Sequence, residues 1–375
     1  LEPEEEKIRL RYRLDGVLTD ILFFDRETFG LLLSRIKLVS ELKLNVSSIA
    51  QDGRFSIKLG NTEIEVRTSL LPGPNGESVV LRVLNPETIA VEMESLGIHP
   101  KLLTIINKEI RKPNGLILTT GPTGSGKTTT LYAFLKKIYS PEIKVITIEN
   151  PIEYHIEGIV QTQTDPEKNY TFAEGLRSAL RQDPDVIMVG EIRDAETAET
   201  AVNAALTGHL VFSTLHTNNA AGTFPRLLDL GVNSKVVSSA LSIAIAQRLV
   251  RTLCEACKKE AVLAGKDLET VERILGDIAD KSYLEGIQRE KIWMPGGTEC
   301  PACNGLGYKG RVGVYEAILM DGKIEKAVNE NPSERDIREA AKGQNLLTLP
   351  EDGVLKALQG KTTLEELDRV IDLSV

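Results

Sequence analysis

Up to about residue 90 the chain alternates apolar and polar positions in several short runs. These are Ile8-Arg-Leu-Arg-Tyr-Arg-Leu14, Phe55-Ser-Ile-Lys-Leu59, Ile64-Glu-Val-Arg67 and Val79-Val-Leu-Arg-Val-Leu84. A period of two puts alternate side chains on opposite faces, so each run predicts a half-buried strand. Phe29, Leu32, Leu33, Ile36 and Val39 instead recur at helical spacing within Glu27 to Lys43. The expectation is a small α+β domain, an antiparallel sheet with one helix. Leu84-Asn-Pro-Glu-Thr88 then reads as a linker. From about residue 100 the pattern changes to continuous apolar runs separated by helical stretches: Leu116–Thr119, Val145–Ile148, Val186–Val189 and Leu210–Ser213. That pattern predicts a parallel sheet buried on both faces, with ligands beyond the carboxyl ends of its strands. Val236 to Val250 is the longest apolar segment. It is broken by Ser238, Ser239, Ser242, Gln247 and Arg248 and reads as a packed helix. No run of apolar residues is long enough to predict a membrane span. After Arg311–Leu319 the tail reads as helical, and Ser333 with Asp336 and Thr363 with Glu366 give capping-box signals.

Gly121-Pro-Thr-Gly-Ser-Gly-Lys-Thr128 matches the phosphate-loop pattern G-x-x-x-x-G-K-[ST]. It follows the apolar strand Gly115–Thr120 and precedes a helical stretch, Thr129 to Lys137, which is the context the pattern needs. Glycines let backbone N–H groups turn toward a polyphosphate, and the new helix directs its positive end at the same anion. Gly121, Pro122, Thr123, Gly124, Ser125, Gly126, Lys127, Thr128 and Thr129 are therefore the candidate ATP-binding residues. Lys127 would reach the β and γ phosphates, and the Thr128 hydroxyl would hold Mg²⁺.

Carboxylates at neighbouring strand ends complete such a site. Asp185-Val-Ile-Met-Val-Gly-Glu191 has the Walker B shape, with Gly190 where the usual Asp would stand, so Glu191 carries the acidic role on that strand. It could orient or activate the attacking water, or hold Mg²⁺ through a water. Lys144-Val-Ile-Thr-Ile148 ends in Glu149, with Glu153 as a second acid or a solvated loop residue. His209–Leu215 ends at His216, which could sense the γ-phosphate or be a structural histidine.

The net charge of −9 and the absence of a basic domain argue against nucleic acid as the main partner. Residues 1–13 are mostly charged and do not predict a signal peptide. Cys254-Glu-Ala-Cys257 and Cys300-Pro-Ala-Cys303 use all 4 cysteines. Two such knuckles can close a tetrahedral Zn²⁺ site, and four thiolates leave no open position, so the site reads as structural. Disulfides are the alternative, disfavoured in an ATP-binding protein of the cytosol. Asn304-Gly-Leu-Gly307 suits the second turn, and Leu268–Ala279 reads as a helix inside the long intervening loop.

Taken in order, the phosphate loop, Ile148-Glu-Asn-Pro-Ile-Glu-Tyr154, Ala179–Asp194 and Thr207–Thr217 resemble the Walker A, Asp box, Walker B and His box of the secretion ATPase superfamily. These are the motor ATPases of type II secretion and type IV pilus assembly, and the resemblance runs from about Leu10 to the end of the chain. The family's Asp box often reads Glu-Asp-Pro. Here Asn150 replaces the Asp, which puts a Mg²⁺ role for that position in doubt and leaves Glu149.

The resemblance implies an α/β fold, a RecA-like P-loop ATPase core (87–252) behind a PAS-like α+β domain (1–86). A tetracysteine zinc element (253–310) and a helical C-terminal region (311–375) follow. It implies a homo-hexamer in which Arg67 and Arg82 complete a neighbour's ATP site. It also implies an inner-membrane platform partner and a place at the cytoplasmic face of the membrane, reached through partners. The tetracysteine element points to assembly or secretion rather than retraction. The start at Leu1 resembles a cut after the family's Ser-Asp-Ile-His stretch, so a fragment lacking the membrane-recruiting domain is expected. A nucleic-acid translocase and a non-hydrolysing ATP-binding scaffold stay open as alternatives. The first lacks a basic, aromatic-bearing channel. The second rests on Gly190 and Asn150, and Glu149 and Glu191 count against it.

Overall fold

Alternation governs the first unit. A computed structural model describes residues 1–60, 62–84 and 91–374, and the chain divides into two compact units, Leu1–Ala90 and Val91–Val375. In the first, β1 (Glu2–Pro3), β2 (Ile8–Leu14) and β3 (Val17–Phe24) form one antiparallel sheet. After α1 (Arg26–Val39), β4 (Gln51–Leu59), β5 (Thr62–Gly73) and β6 (Gly76–Leu84) form a second. The Asp25 carboxylate starts α1 by accepting from Thr28 N at 2.7 Å. Even positions of β5, Ile64, Val66, Thr68 and Leu70, are buried. Ile8, Phe29, Leu70 and Val79 make the core of this unit. Beside it, Lys37 Nζ and Glu77 Oε2 form a buried ion pair at 2.7 Å. The linker expected at 84–88 falls, after Leu84, outside the described residues.

The second unit is built on a seven-stranded sheet. Its elements are α2 (Pro100–Glu109), β7 (Gly115–Thr120), α3 (Lys127–Ile138), β8 (Val145–Glu149), β9 (Val160–Gln163), α4 (Phe172–Leu180), β10 (Val186–Val189), α5 (Ala195–Leu206) and β11 (Leu210–Leu215). Then come α6 (Thr223–Asp229), α7 (Ser234–Ala240), β12 (Leu241–Leu253), β13 (Lys259–Val262), α8 (Gly265–Asp277), β14 (Lys291–Met294) and β15 (Tyr308–Leu319). The strand order is β15-β12-β7-β11-β10-β8-β9, parallel except for the β12–β15 pair. The central strands β7, β8, β10 and β11 are buried on both faces. Leu116, Ile146, Ile187 and Val211 face one apolar layer, and Ile117, Val145, Met188 and Phe212 face the other.

One expectation is corrected. Val236–Val250 is not a single helix: α7 ends at Ala240 and the chain continues as β12. Ile243 and Ile245 enter one core layer while Ala244, Ala246 and Val250 enter the other. A strand buried on both faces has no polar side, so its apolar run cannot be told from a buried helix by periodicity.

The chain ends in α9 (Gly322–Glu330), α10 (Glu334–Ala341), α11 (Leu349–Leu358) and α12 (Leu364–Asp368). Ser333 and Thr363 cap α10 and α12 as expected, but the reciprocal capping box forms at Thr348 and Glu351, at the head of α11.

Candidate nucleotide site and cysteine cluster

The turn after β7 is shaped by three glycines with positive φ, Gly121 (149°), Gly124 (80°) and Gly126 (90°). At Gly121 the geometry also excludes a side chain, because a Cβ there would lie 2.5 Å from Gln247 O and 2.7 Å from Ser125 Oγ. The loop is held from below by β12, where Gln247 Nε2 donates to Ser125 O at 2.6 Å. No side chain caps α3, so its first N–H groups are left for an anion. Lys127 is buried in the loop, and its Nζ donates to Gly121 O (2.8 Å) and Pro122 O (3.1 Å). Burial pulls its ammonium down to about 8; Glu191 raises it and Arg248 works against it. The Ser125 hydroxyl is buried and has no hydrogen-bond partner among the described residues. A buried cation, an unused hydroxyl and a glycine turn against a helix start together suit a polyphosphate. Thr128 sits half-buried in the first turn of α3.

Glu191 follows β10, with its carboxylate between Arg193 Nε (2.6 Å) and His216 Nε2 (3.2 Å). A Cβ at Gly190 would stand 3.3 Å from both Ile148 O and the Phe172 ring, so a larger residue there is crowded. His216 follows β11, and that turn is tied down. Thr217 N donates to Thr120 Oγ1 at 2.8 Å, the two hydroxyls meet at 2.7 Å, and Arg248 donates to Asn218 O at 2.6 Å. The geometry therefore brings Lys127, Glu191 and His216 to adjoining strand ends.

Glu149 ends β8 but is buried. Its carboxylate accepts from Tyr132 on α3, from Thr147 and, at 3.1 Å, from Gln161 Nε2. Burial pushes its carboxyl up, and the Thr147, Tyr132 and Gln161 bonds pull it back. These bonds join β8 to α3 and β9.

In the first unit, Arg67 on β5 lies directly opposite Arg82 on β6 and Arg54 on β4. Paired residues share a face, so three arginines form a row across the sheet. Glu65 Oε1 stands 3.0 Å from Arg67 Nε.

The four cysteine sulfurs, of Cys254, Cys257, Cys300 and Cys303, lie within 4.8 Å of one another. The Cys254–Cys300 and Cys257–Cys303 separations are 4.0 and 3.8 Å, too long for disulfides. A tetrahedral ion with metal–sulfur bonds of about 2.3 Å requires sulfur–sulfur edges of about 3.8 Å, so the donor set fits a thiolate-bound ion. Gly307 N donates to Cys303 Sγ at 3.2 Å. Asn304, Gly305 and Gly307 take positive φ, and a Cβ at Gly305 would collide with Thr298 O at 2.2 Å. Burial works to raise the Cys300 thiol, yet the N–H groups of Cys303 and Ala302 hold it down to about 7.

Sequence reasoning missed Gln247 and Arg248, which buttress the loop from β12. Their signal in the sequence is two polar residues inside an apolar run, a pattern that a broken helix also gives. It also missed Arg54, visible only once strand register is known.

Residues 1–369 match the family described as type II/IV secretion system protein. The type II secretion system protein E of Dickeya dadantii is 44% identical over 370 residues, covering 99% of this chain and 71% of that protein. The type IV pilus assembly ATPase PilB of Thermus thermophilus is 42% identical over 367 residues, covering 98% of this chain and 40% of that protein. Among solved structures, the pilus retraction motor PilT with bound ADP superposes with a TM-score of 0.61 at 27% identity, covering 98% of this chain and 93% of PilT. The chain belongs to the type II/IV secretion system protein family.

Proposed function

We propose that this protein is a motor ATPase that hydrolyses ATP to drive assembly of a type IV pilus or a type II secretion pseudopilus. The observation that carries the reading is the buried Lys127, held in a glycine turn beside Glu191. In this reading Lys127 and the loop N–H groups bind the β and γ phosphates, and Thr128 holds Mg²⁺. Glu191 orients or activates water, His216 senses the γ-phosphate, and Glu149 holds β8 against α3 and β9. The four cysteines hold Zn²⁺ as a structural ion. The working form is a homo-hexamer in which Arg67 and Arg82 of a PAS-like N-terminal unit complete a neighbour's site, a role arginine fills well by neutralising developing phosphoryl charge. The motor acts at the cytoplasmic face of the inner membrane through a platform protein. No helix among the described residues is long and apolar enough to cross a membrane.

The test is steady-state phosphate release with Mg-ATP over a protein concentration series, beside Glu191→Gln, with metal content measured on the same sample. Activity per subunit that rises with concentration and is lost in the variant supports a ring motor. ATP binding without hydrolysis at any concentration refutes it.

A further inference from the structure

Arg248 is a buried cation that the proposed chemistry does not use. It lies on β12, 8% exposed, one strand away from the phosphate loop. Its two terminal nitrogens each donate to a backbone carbonyl: Nη1 to Gln247 O at 3.0 Å and Nη2 to Asn218 O at 2.6 Å. Among the described residues no carboxylate reaches ion-pair distance of it. Glu316, on the neighbouring strand β15 opposite Ala246, is the acid whose field it feels. That carboxylate is committed to the N–H groups of Ala220 (2.8 Å) and Leu349 (3.2 Å).

The position of the fork is informative. Gln247 is the residue whose amide supports Ser125 O, and whose own carbonyl lies against Gly121. A Cβ built on Gly121 would also come within 3.1 Å of Arg248 Nη1. The other arm holds Asn218, two residues after His216, in a turn that Thr217 already fastens to Thr120 just before the loop. The guanidinium thus ties the His216 turn to β12 at Gln247, the residue whose side chain supports the phosphate loop, with one rigid group. A planar fork with donors on separate nitrogens can do this, whereas a single ammonium cannot hold both carbonyls in the same way. The far side of the turn is anchored too: Asn219 Nδ2 donates to Glu334 at the start of α10 at 2.7 Å.

We infer that Arg248 is a positioning residue for ATP hydrolysis, acting in the same subunit by locking the His216 turn to the strand that supports the phosphate loop. The inference rests on the motor ATPase reading above. Arg248 acts through His216, so its loss lowers kcat while leaving the loop able to bind ADP. Neutralising it also removes a buried charge that feels few anions, so the fold has no ion pair to lose.

The experiment compares wild type, Arg248→Lys, Arg248→Gln, His216→Ala and the Arg248→Lys/His216→Ala double variant. Three readouts are taken: kcat and KM for ATP, Kd for ADP, and amide hydrogen exchange of residues 216–220 without nucleotide. For Arg248→Lys the expected results are a kcat about tenfold lower, equal to about 1.4 kcal/mol, ADP affinity within about twofold of wild type, and faster exchange confined to the turn. The double variant should be no slower than the slower single variant, because residues acting through one unit are not additive. Wild-type kcat in Arg248→Lys, additive losses, or unchanged exchange of the turn overturns the inference. So does a uniform rise in exchange across β12 and β7, which marks a general packing role. Arg248→Gln keeps the test open if the lysine variant does not fold. An inactive wild type that binds ADP is a failure of the ATPase reading instead, and the exchange result still judges the link between Arg248 and the turn.

Discussion

Protonation of Lys127 couples nucleotide binding to pH. Burial holds the free ammonium at about 8, and the charged groups facing it are Glu191 from the end of β10 and Arg248 from β12. A bound polyphosphate adds several negative charges beside the ammonium and should return it to about 10 or above. The bound state then carries more protons than the free state, so affinity falls as pH rises through 8, by up to about tenfold per pH unit. With the free ammonium at about 8, the ordinary titration curve gives an uptake of about three-quarters of a proton per site at pH 8.5 and about one-tenth at pH 7.0. The terminal phosphate is already largely ionised over this range and adds little. Calorimetric titration with Mg-ADP in buffers of different ionisation enthalpy measures the uptake directly. Lys127→Arg, whose guanidinium does not titrate here, should bind without the uptake at pH 8.5. Absence of uptake at pH 8.5 in the wild type would refute the reasoning, because it would mean that Lys127 is fully charged before the nucleotide arrives.

Gly121→Ala should weaken ADP binding at least tenfold by equilibrium titration with little change in far-ultraviolet circular dichroism, since the new methyl would press on Gln247 O at 2.5 Å. Lys37→Ala leaves Glu77 buried without its partner and should cost about 3–5 kcal/mol in the first unit, read as an early transition in urea. Chelation of the tetracysteine ion should release one metal per chain and lower the melting temperature; an unchanged melt would show that the knuckles hold without it. Arg82→Gln removes a like charge facing Arg67 and should stabilise the first unit by about 0.2–1 kcal/mol while reducing phosphate release.

The parts of this site readable from sequence are those in which local chemistry and position in the chain coincide. A phosphate loop is one continuous segment, so Gly121 to Thr128 carries its own context of strand and helix. Glu191 and His216 were legible because each follows directly on an apolar run, and the ends of parallel strands gather at one edge. The cysteine pairs were legible because each pair closes its own turn, as the Gly305 N–H to Cys300 carbonyl bond at 2.9 Å shows. What could not be read depends on register between segments far apart. Gln247 and Arg248 meet the loop only because β12 runs parallel to β7, with Ala246 opposite Thr120. Glu149 reads as a strand-end acid, and only the packing of α3 reveals that Tyr132 and Gln161 enclose its carboxylate.

The placing of positive charge gives these observations a common physical sense. The chain holds 54 acidic and 45 basic residues, so acidic partners were abundant for every cation. Yet Lys127 and Arg248 are both buried with backbone carbonyls as their hydrogen-bond acceptors, and Arg54, Arg67 and Arg82 stand side by side on one face of a sheet. Each arrangement works against folding. A buried cation with no carboxylate at hydrogen-bond distance loses hydration that carbonyl dipoles replace only in part, and like charges directly opposite on neighbouring strands repel. Lys37 and Lys356 show what the same chain does when a buried lysine serves the fold alone: each is paired with a carboxylate, Glu77 or Asp352. The contrast separates two kinds of buried lysine in one protein. At Lys37 and Lys356 the anion is built in, so the charge contributes at all times. At Lys127 the counter-charge is left to arrive from outside, and the stability withheld from the free protein returns when a polyphosphate binds.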